Sequence, residues 1–294
     1  MATPLTTLRT WGEMIKFSHS VFALPFALLA AFLAARPALP TLTQLGLIAW
    51  CMVAARSAAM TFNRLVDVTF DALNPRTANR PLPRGQITPR AAWAFFLAAT
   101  AAFLAGCVGF NVWTANGWPA RLGVPVLALL CVYSFTKRFT RWSHLLLGAG
   151  IGFAPVAAWI AVNPATLGSP AWLLWTAVAT WIAGFDLIYA CQDVAFDRQT
   201  GLHSVPARLG VPVALGLARA LHVIAVVALV AVGLAAQLGV CYYVGVGVAA
   251  LLLTLENAVV SPRDLSRVNL AFFTINGVVG LVLGLLAILD IVLR

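Results

Sequence analysis

The sequence contains little charge, and acidic residues are especially scarce. Only 10% of its 294 residues are charged, with nine acidic residues against 19 lysines and arginines, whereas 62% are hydrophobic. Soluble domains usually contain about 25% charged residues, so this composition excludes an ordinary soluble protein and indicates an integral membrane protein. The five cysteines are scattered singly through apolar runs without C-x-x-C spacing, which argues against disulfides or a cysteine metal site.

Apolar stretches long enough to cross a membrane, which takes about 20 residues, recur along the whole chain. They are too long for barrel strands and show no alternation of polar and apolar residues, so they are predicted to be helices. The sequence therefore predicts a single all-α transmembrane domain over residues 1–294. Its nine predicted spans lie at residues 18–36, 42–63, 91–113, 121–137, 143–163, 170–191, 211–235, 238–258 and 269–292.

The basic residues are distributed unevenly between the two sides that these spans define. Most of them precede the first span or follow an even-numbered one, whereas Arg36, Arg121 and Arg294 lie on the other side. The positive-inside rule then predicts a multi-pass protein of the inner membrane with its N-terminus and its basic loops in the cytoplasm. This distribution also accounts for the net charge of +10, so no nucleic-acid partner is expected.

The first group of acidic residues follows the second span, in the segment "NRLVDVTFDALNPRTANRPLPR". Asp67 and Asp71 are four residues apart, so they share one face if the helix continues through them. Asn63 and Arg56 lie on the same stripe, about one and three turns earlier.

The second group lies at the end of the sixth span, in the segment "FDLIYACQDVAFD". Asp186, Tyr189, Asp193 and Asp197 follow one another at spacings of three, four and four residues. The spacing again predicts that one helix face carries the polar groups.

Both groups indicate a divalent cation and a phosphorylated ligand. Two carboxylates 5–6 Å apart repel each other by about 3 kcal/mol at an effective dielectric constant of 20, so a cation is expected between them. Oxygen ligands without histidine or cysteine favour Mg²⁺, and the neighbouring arginines suit phosphate oxygens. The alternatives are solvated charge at the membrane border and the intramembrane carboxylates of an ion-coupled transporter.

The two segments resemble the two signature motifs of the UbiA superfamily of intramembrane prenyltransferases. "NRLVDVTFD" is similar to the N-x-x-x-D-x-x-x-D motif, and "DLIYACQDVAFD" is similar to the D-x-x-Y-x-x-x-D-x-x-x-D motif. The resemblance covers nearly the whole chain and implies a bundle of nine helices around a central cavity. "EMIKFSHSVFALPFALLAA", "YSFTKRFT" and "GLHSVPARLG" further resemble the 4-hydroxybenzoate polyprenyltransferase-like branch, which serves ubiquinone and menaquinone biosynthesis.

This resemblance implies Mg²⁺-dependent transfer of a polyprenyl group from a polyprenyl diphosphate to a ring carbon of an aromatic acid such as 4-hydroxybenzoate. A dihydroxynaphthoate acceptor is the alternative within the branch. Outside the enzymes, the alternative is the transporter. The motif "QDVAFD" is less acidic than in most 4-hydroxybenzoate enzymes, which leaves the number of metal ions and the acceptor open.

The resemblance also implies a role for individual residues. The implied metal ligands are Asn63, Asp67, Asp71, Asp193 and Asp197. The implied contacts to the diphosphate are Lys16, Lys137, Arg64 and Arg80. Arg56 would bind the carboxylate of the acceptor, and the reaction centre would be lined by Tyr133, Asp186 and Tyr189.

Overall fold

The computed structural model describes residues 4–15 and 23–294, and within them the chain is helical. The β structure of the described residues consists of one isolated bridge between Ser261 and Asp264. The helices are α1 (Pro4–Ile15), α2 (Leu24–Ala35), α3 (Leu42–Val66), α4 (Val68–Leu73), α5 (Pro89–Thr114), α6 (Trp118–Val132), α7 (Ser143–Val162), α8 (Ser169–Ala190), α9 (Val194–Thr200), α10 (Val205–Leu209), α11 (Val211–Ala235), α12 (Val240–Ala258), α13 (Val268–Leu270) and α14 (Asn276–Val292). Short 3₁₀ turns cover Tyr133–Arg138, Pro164–Thr166 and Cys191–Asp193, and a π-helical turn covers Ala271–Ile275.

Eight helical segments of the described chain are long and apolar enough to cross a membrane. They are Leu42–Val66, Pro89–Thr114, Trp118–Arg138, Ser143–Val162, Ser169–Thr200, Val211–Ala235, Val240–Ala258 and Val268–Val292. These segments correspond to the second through ninth predicted spans, so the prediction of an all-α membrane protein is confirmed. The first predicted span, residues 18–36, coincides in part with the 12-residue apolar helix α2, and residues 16–22 lie outside the described residues. The count of nine therefore stays a prediction.

The described chain divides into two compact units, and the two acidic motifs belong to different units. The first unit contains residues 4–15 and Ala49–Phe135, and the second contains residues 23–48 and Thr136–Arg294. Each unit is described by itself below. The prediction of a single domain over residues 1–294 stays a prediction.

The first unit is built around α3, α5 and α6. Small residues of α3 pack against larger apolar side chains of the other two helices, which lets the helices approach closely. The buried residues of this cluster are Ala54, Ala55 and Ala58 on α3, Ala99, Phe103 and Cys107 on α5, and Leu127 on α6. Thr88 begins α5 as an N-cap whose hydroxyl accepts from the N–H of Ala91 at 3.2 Å, and Pro89 follows it in the first turn.

The second unit is built around α8, which is the most enclosed of the candidate spans. In an 18-residue stretch of the candidate span Ser169–Thr200, which contains α8, 67% of the residues are buried within the protein. Glycine lets α7 come close to α8, because a Cβ added at Gly148 would collide with the carbonyl oxygen of Ala179, and one at Gly152 would lie 3.0 Å from the Ala179 Cβ. On the other side of α8, a Cβ at Gly184 would collide with the ring of His222 on α11. The part of α8 that precedes the second motif is thus held from two sides.

Candidate active site

The first acidic motif lies where α3 ends and α4 begins. The N–H of Asp67 donates to the Asn63 carbonyl at 3.0 Å, and the N–H of Asp71 donates to the Asp67 carbonyl at 2.7 Å. Helical hydrogen bonding therefore continues through the break at Asp67, as the spacing predicts. The Asn63 side chain donates to Asp67 Oδ2 at 3.0 Å, so two of the predicted metal ligands are already in contact.

Asp71 is buried, and the two arginines that the resemblance assigns to the diphosphate lie beside it. Arg80 donates from one guanidinium nitrogen to both carboxylate oxygens of Asp71, at 2.6 and 2.7 Å. Arg64 is itself buried and places a nitrogen 3.9 Å from Asp71 Oδ2 and 3.3 Å from Asn63 Oδ1. The structure therefore brings together Asn63, Arg64, Asp67, Asp71 and Arg80, which we call the first acidic cluster.

The loop after α4 folds back to bring Arg80 to this cluster. The hydroxyl of Thr77 donates to the Asp71 carbonyl at 2.9 Å, and its backbone N–H donates to the Asn74 carbonyl at the same distance. The N–H of Arg80 in turn donates to the Thr77 carbonyl at 2.9 Å. Thr77 and Asn74 are buried, so the backbone that carries Arg80 is anchored to the helix that carries Asp71.

Arg56 lies on α3, two turns before Asn63, and is only partly exposed. Its Nε atom is buried and has no hydrogen-bond partner among the described residues. A buried donor without a partner costs free energy, so an acceptor oxygen of a bound molecule would be stabilising here. The other predicted residue of this unit, Tyr133, begins the 3₁₀ turn after α6 and is partly exposed.

The second acidic motif runs through three consecutive helical segments. α8 ends at Ala190, a 3₁₀ turn covers Cys191–Asp193, and α9 continues from Val194. Asp193 and Asp197 are four residues apart and both buried. The Oδ2 atom of Asp197 has no hydrogen-bond partner among the described residues, so this carboxylate keeps an oxygen available for a cation. We call these two residues the second acidic cluster.

Asp186 and Tyr189 precede this cluster on α8. The Asp186 Oδ2 atom lies 2.7 Å from Nδ1 of His144, which is fully buried at the start of α7. The ring of Tyr189 makes an edge contact with Phe273 at 6.4 Å between centroids. The side chains of Asp186 and Tyr189 are both partly exposed.

The resemblance assigns two lysines to the diphosphate, and of these only Lys137 lies within the described residues. Its carbonyl accepts from the N–H of His203 at 2.7 Å, which joins the "YSFTK" turn to the "GLHSV" loop in the second unit. Lys16 lies outside the described residues.

The side chains present suit a hard divalent ion. No group of three or more histidine, cysteine, aspartate or glutamate side chains in residues 9–15 and 23–294 forms a metal site by itself. Each acidic cluster contains two carboxylates. In the second cluster, one Asp197 oxygen has no hydrogen-bond partner among the described residues, and such oxygen donors fit Mg²⁺ better than Zn²⁺ or copper. Asp71 can still serve as a ligand although Arg80 contacts it, because a carboxylate has about four lone-pair sites.

His144 is the residue that the sequence analysis missed. It lies at the start of an apolar span, where a histidine is usually a cap or a loop residue. The signal that could have identified it is the close α7–α8 packing at Gly148 and Gly152, which becomes informative only once the two helices are known to be adjacent.

Known proteins resemble this chain over most of its length. The model of the UbiA prenyltransferase family matches residues 23–278. The chain is similar to the 4-hydroxybenzoate octaprenyltransferase of Salmonella paratyphi B, with 33% identity over 250 residues, which are 85% of this chain and 83% of that protein.

Two solved structures have the same fold. The apo structure of a UbiA homolog from Aeropyrum pernix K1 is 35% identical, with a TM-score of 0.82 over 92% of this chain and 98% of that chain. A UbiA homolog from Archaeoglobus fulgidus bound to GPP and Mg²⁺ is 20% identical, with a TM-score of 0.68 over 96% and 99% of the two chains. At that identity, the second likeness shows the fold alone.

Proposed function

Because this chain belongs to the UbiA prenyltransferase family, we propose that it transfers a polyprenyl group from a polyprenyl diphosphate to a ring carbon of an aromatic carboxylic acid. The leading acceptor is 4-hydroxybenzoate, which the name of the Salmonella relative contains and which belongs to ubiquinone biosynthesis. A dihydroxynaphthoate of menaquinone biosynthesis is the alternative, because it also presents a carboxylate and an electron-rich ring. Family membership favours either enzyme over the ion-coupled transporter.

The observation that carries the choice of an acidic acceptor is the buried Nε atom of Arg56, which has no hydrogen-bond partner in the part of the chain that the structure describes. A guanidinium group matches a carboxylate in shape and charge, and a carboxylate oxygen would supply the acceptor that Nε lacks. Arg56 is also on α3 together with Asn63, and Asp67 directly follows the end of that helix, so an acceptor bound there would lie along the same helix face.

The two acidic clusters would hold the diphosphate of the donor. Asn63, Asp67 and Asp71 would supply oxygen ligands for Mg²⁺ in the first unit, and Asp193 and Asp197 in the second. Mg²⁺ would offset the negative charge that develops on the departing diphosphate. The Archaeoglobus homolog was solved with GPP and Mg²⁺, which are ligands of the kind that this proposal assigns to the two clusters.

Basic side chains would complete the diphosphate site. Arg64 and Arg80 lie beside Asp71, and their other N–H groups would donate to phosphate oxygens. Lys137 and Lys16 are assigned the same task from the family motifs. Positive groups aimed at the leaving group stabilise the transition state more than the ground state, which is how such contacts accelerate a reaction.

The reaction would proceed by dissociation of the donor. The allylic C–O bond breaks, its electron pair leaves on the diphosphate, and a positive charge remains on the prenyl carbon. The faces of Tyr133 and Tyr189 would suit such a cation, and apolar surroundings would exclude the water that quenches it. The ring carbon ortho to the acceptor hydroxyl then forms the new C–C bond, and loss of its proton to a base restores the aromatic ring. Asp186 is the proposed base.

The function is tested with purified protein, Mg²⁺, geranyl or longer prenyl diphosphates, and a panel of aromatic acids. We expect prenylated 4-hydroxybenzoate or prenylated dihydroxynaphthoate, identified by mass spectrometry, and no product from ring analogues without the carboxylate. An Arg56→Ala variant should raise the KM for the acceptor much more than the KM for the donor. Prenyl transfer to non-acidic acceptors alone would refute the assignment of an aromatic acid.

A further inference from the structure

The side chain of Asp186 is held by a buried partner that the family motifs do not include. His144 is fully buried, and its Nδ1 lies 2.7 Å from Asp186 Oδ2. A carboxylate that serves as a base can only accept hydrogen bonds, and in that state Nδ1 carries a proton and donates a hydrogen bond to Asp186. This is the one side-chain hydrogen bond that the Asp186 carboxylate makes with the described residues.

Helix packing fixes the position of the His144 ring. α7 and α8 run in opposite directions, so that Gly152, Gly148 and His144 lie successively against Ala179, Ala183 and Asp186. The helices approach so closely that a Cβ at Gly148 would lie 2.9 Å from the Ala183 Cβ. A ring in such a contact cannot turn away without separating the helices.

The two side chains differ in accessibility. The His144 side chain has no accessible surface, whereas that of Asp186 keeps 17%. His144 Nε2 is buried and has no hydrogen-bond partner among the described residues. The bond to Asp186 is therefore the one side-chain hydrogen bond that the described residues give this ring.

We propose that His144 is a positioning residue that holds the Asp186 carboxylate as the base for the ring proton, an inference that rests on the function proposed above. After the prenyl carbon bonds to the ring, the proton at that ring carbon moves to Asp186 Oδ1, and the C–H electron pair restores the aromatic ring. His144 keeps its own proton on Nδ1 throughout and continues to donate to Oδ2. The arrangement is that of a base oriented by a third group, as in other oriented catalytic pairs.

The experiment compares His144→Leu, His144→Asn and the unmodified enzyme, using the acceptor with hydrogen or deuterium at the reactive ring carbons. Leucine removes the donor, whereas the asparagine amide nitrogen lies near the former position of Nδ1. His222→Leu is the matched control, because His222 is also buried in this unit but pairs through Nδ1 with Asn257 at 2.7 Å.

We expect His144→Leu to lower kcat by about 10- to 100-fold, the usual effect of losing a group that orients an active-site ligand, with the KM for the donor unchanged. Its isotope effect on kcat should exceed that of the unmodified enzyme, because proton removal becomes slower, and His144→Asn should recover most of the rate. His222→Leu should leave the isotope effect as it is. The isotope effect is a ratio within one variant, so partial misfolding does not alter it.

A His144→Leu variant with normal kcat, or with a lowered kcat and no larger isotope effect, would overturn the inference. If the unmodified enzyme prenylates no aromatic acid, the proposed function itself fails. These two failures are distinguishable, because only the first leaves product formation by the unmodified enzyme intact.

Discussion

The ion pair between Arg80 and Asp71 predicts a measurable coupling between a loop and the end of a membrane span. Replacing Arg80 with alanine removes both of its hydrogen bonds to Asp71, at 2.6 and 2.7 Å, and the two side chains are only 20% and 10% exposed. Breaking a buried ion pair costs about 3–5 kcal/mol because a charge is left without compensation. Arg64 stays 3.9 Å from Asp71 and compensates in part, so we expect a lower cost of about 2 kcal/mol.

A double-mutant cycle separates the interaction free energy of Arg80 with Asp71 from the other effects of the substitution. The free energy of unfolding would be measured in mixed detergent micelles for Arg80→Ala, Asp71→Ala, the double variant and the unmodified protein. We expect Arg80→Ala to destabilise the protein by about 2 kcal/mol alone and by much less once Asp71 is absent. Arg84→Ala is the control, because Arg84 is exposed on the same loop, and it should change the stability by less than about 0.5 kcal/mol. Equal costs of Arg80→Ala with and without Asp71 would refute the reasoning.

Three further predictions concern packing and topology. Glu256 accepts from Asn276 at 2.8 Å in the interior, so Glu256→Leu should lower the free energy of unfolding by about 1–3 kcal/mol and Glu256→Gln by clearly less; equal losses would contradict this. Gly148→Ala should cost about 1–3 kcal/mol through the clash with Ala179, measured against Gly150→Ala, which meets open space. A reporter that fluoresces only when it folds in the cytoplasm should fluoresce when fused to the N-terminus. A fusion protein that is expressed normally but does not fluoresce would contradict the proposed orientation.

Much of the first acidic cluster could be predicted from the sequence because local spacing decides it. Asn63, Asp67 and Asp71 recur every four residues, and the helical hydrogen bonds through Asp67 preserve that spacing in three dimensions. The contact of Arg80 with Asp71 required more, because Thr77 and Asn74 fold the intervening loop, and no periodicity encodes such a path. The resemblance named Arg80 without indicating its partner.

In the second motif, the sequence predicts the acidic residues of one helix but not their contacts with another helix. Asp193 and Asp197 are identified by their charge in an apolar region and by their spacing. The contact of His144 with Asp186 spans 42 residues and depends on which helices are neighbours and in which register, and the periodicity of a single helix determines neither. The extent of the first predicted span and the role of Lys16 stay predictions for a related reason, since residues 16–22 lie outside the described part of the chain.

The two acidic clusters are best tested together by the turnover of Asp67→Ala and Asp193→Ala with Mg²⁺, prenyl diphosphate and an aromatic acid. Each variant should lose product formation, and the unmodified enzyme should lose it when the divalent ion is chelated and recover it when Mg²⁺ is restored. Asp264→Ala, which alters an exposed carboxylate outside both clusters, should be as active as the unmodified enzyme. Undiminished turnover in either the Asp67 or the Asp193 variant would contradict the assignment of a metal-held diphosphate.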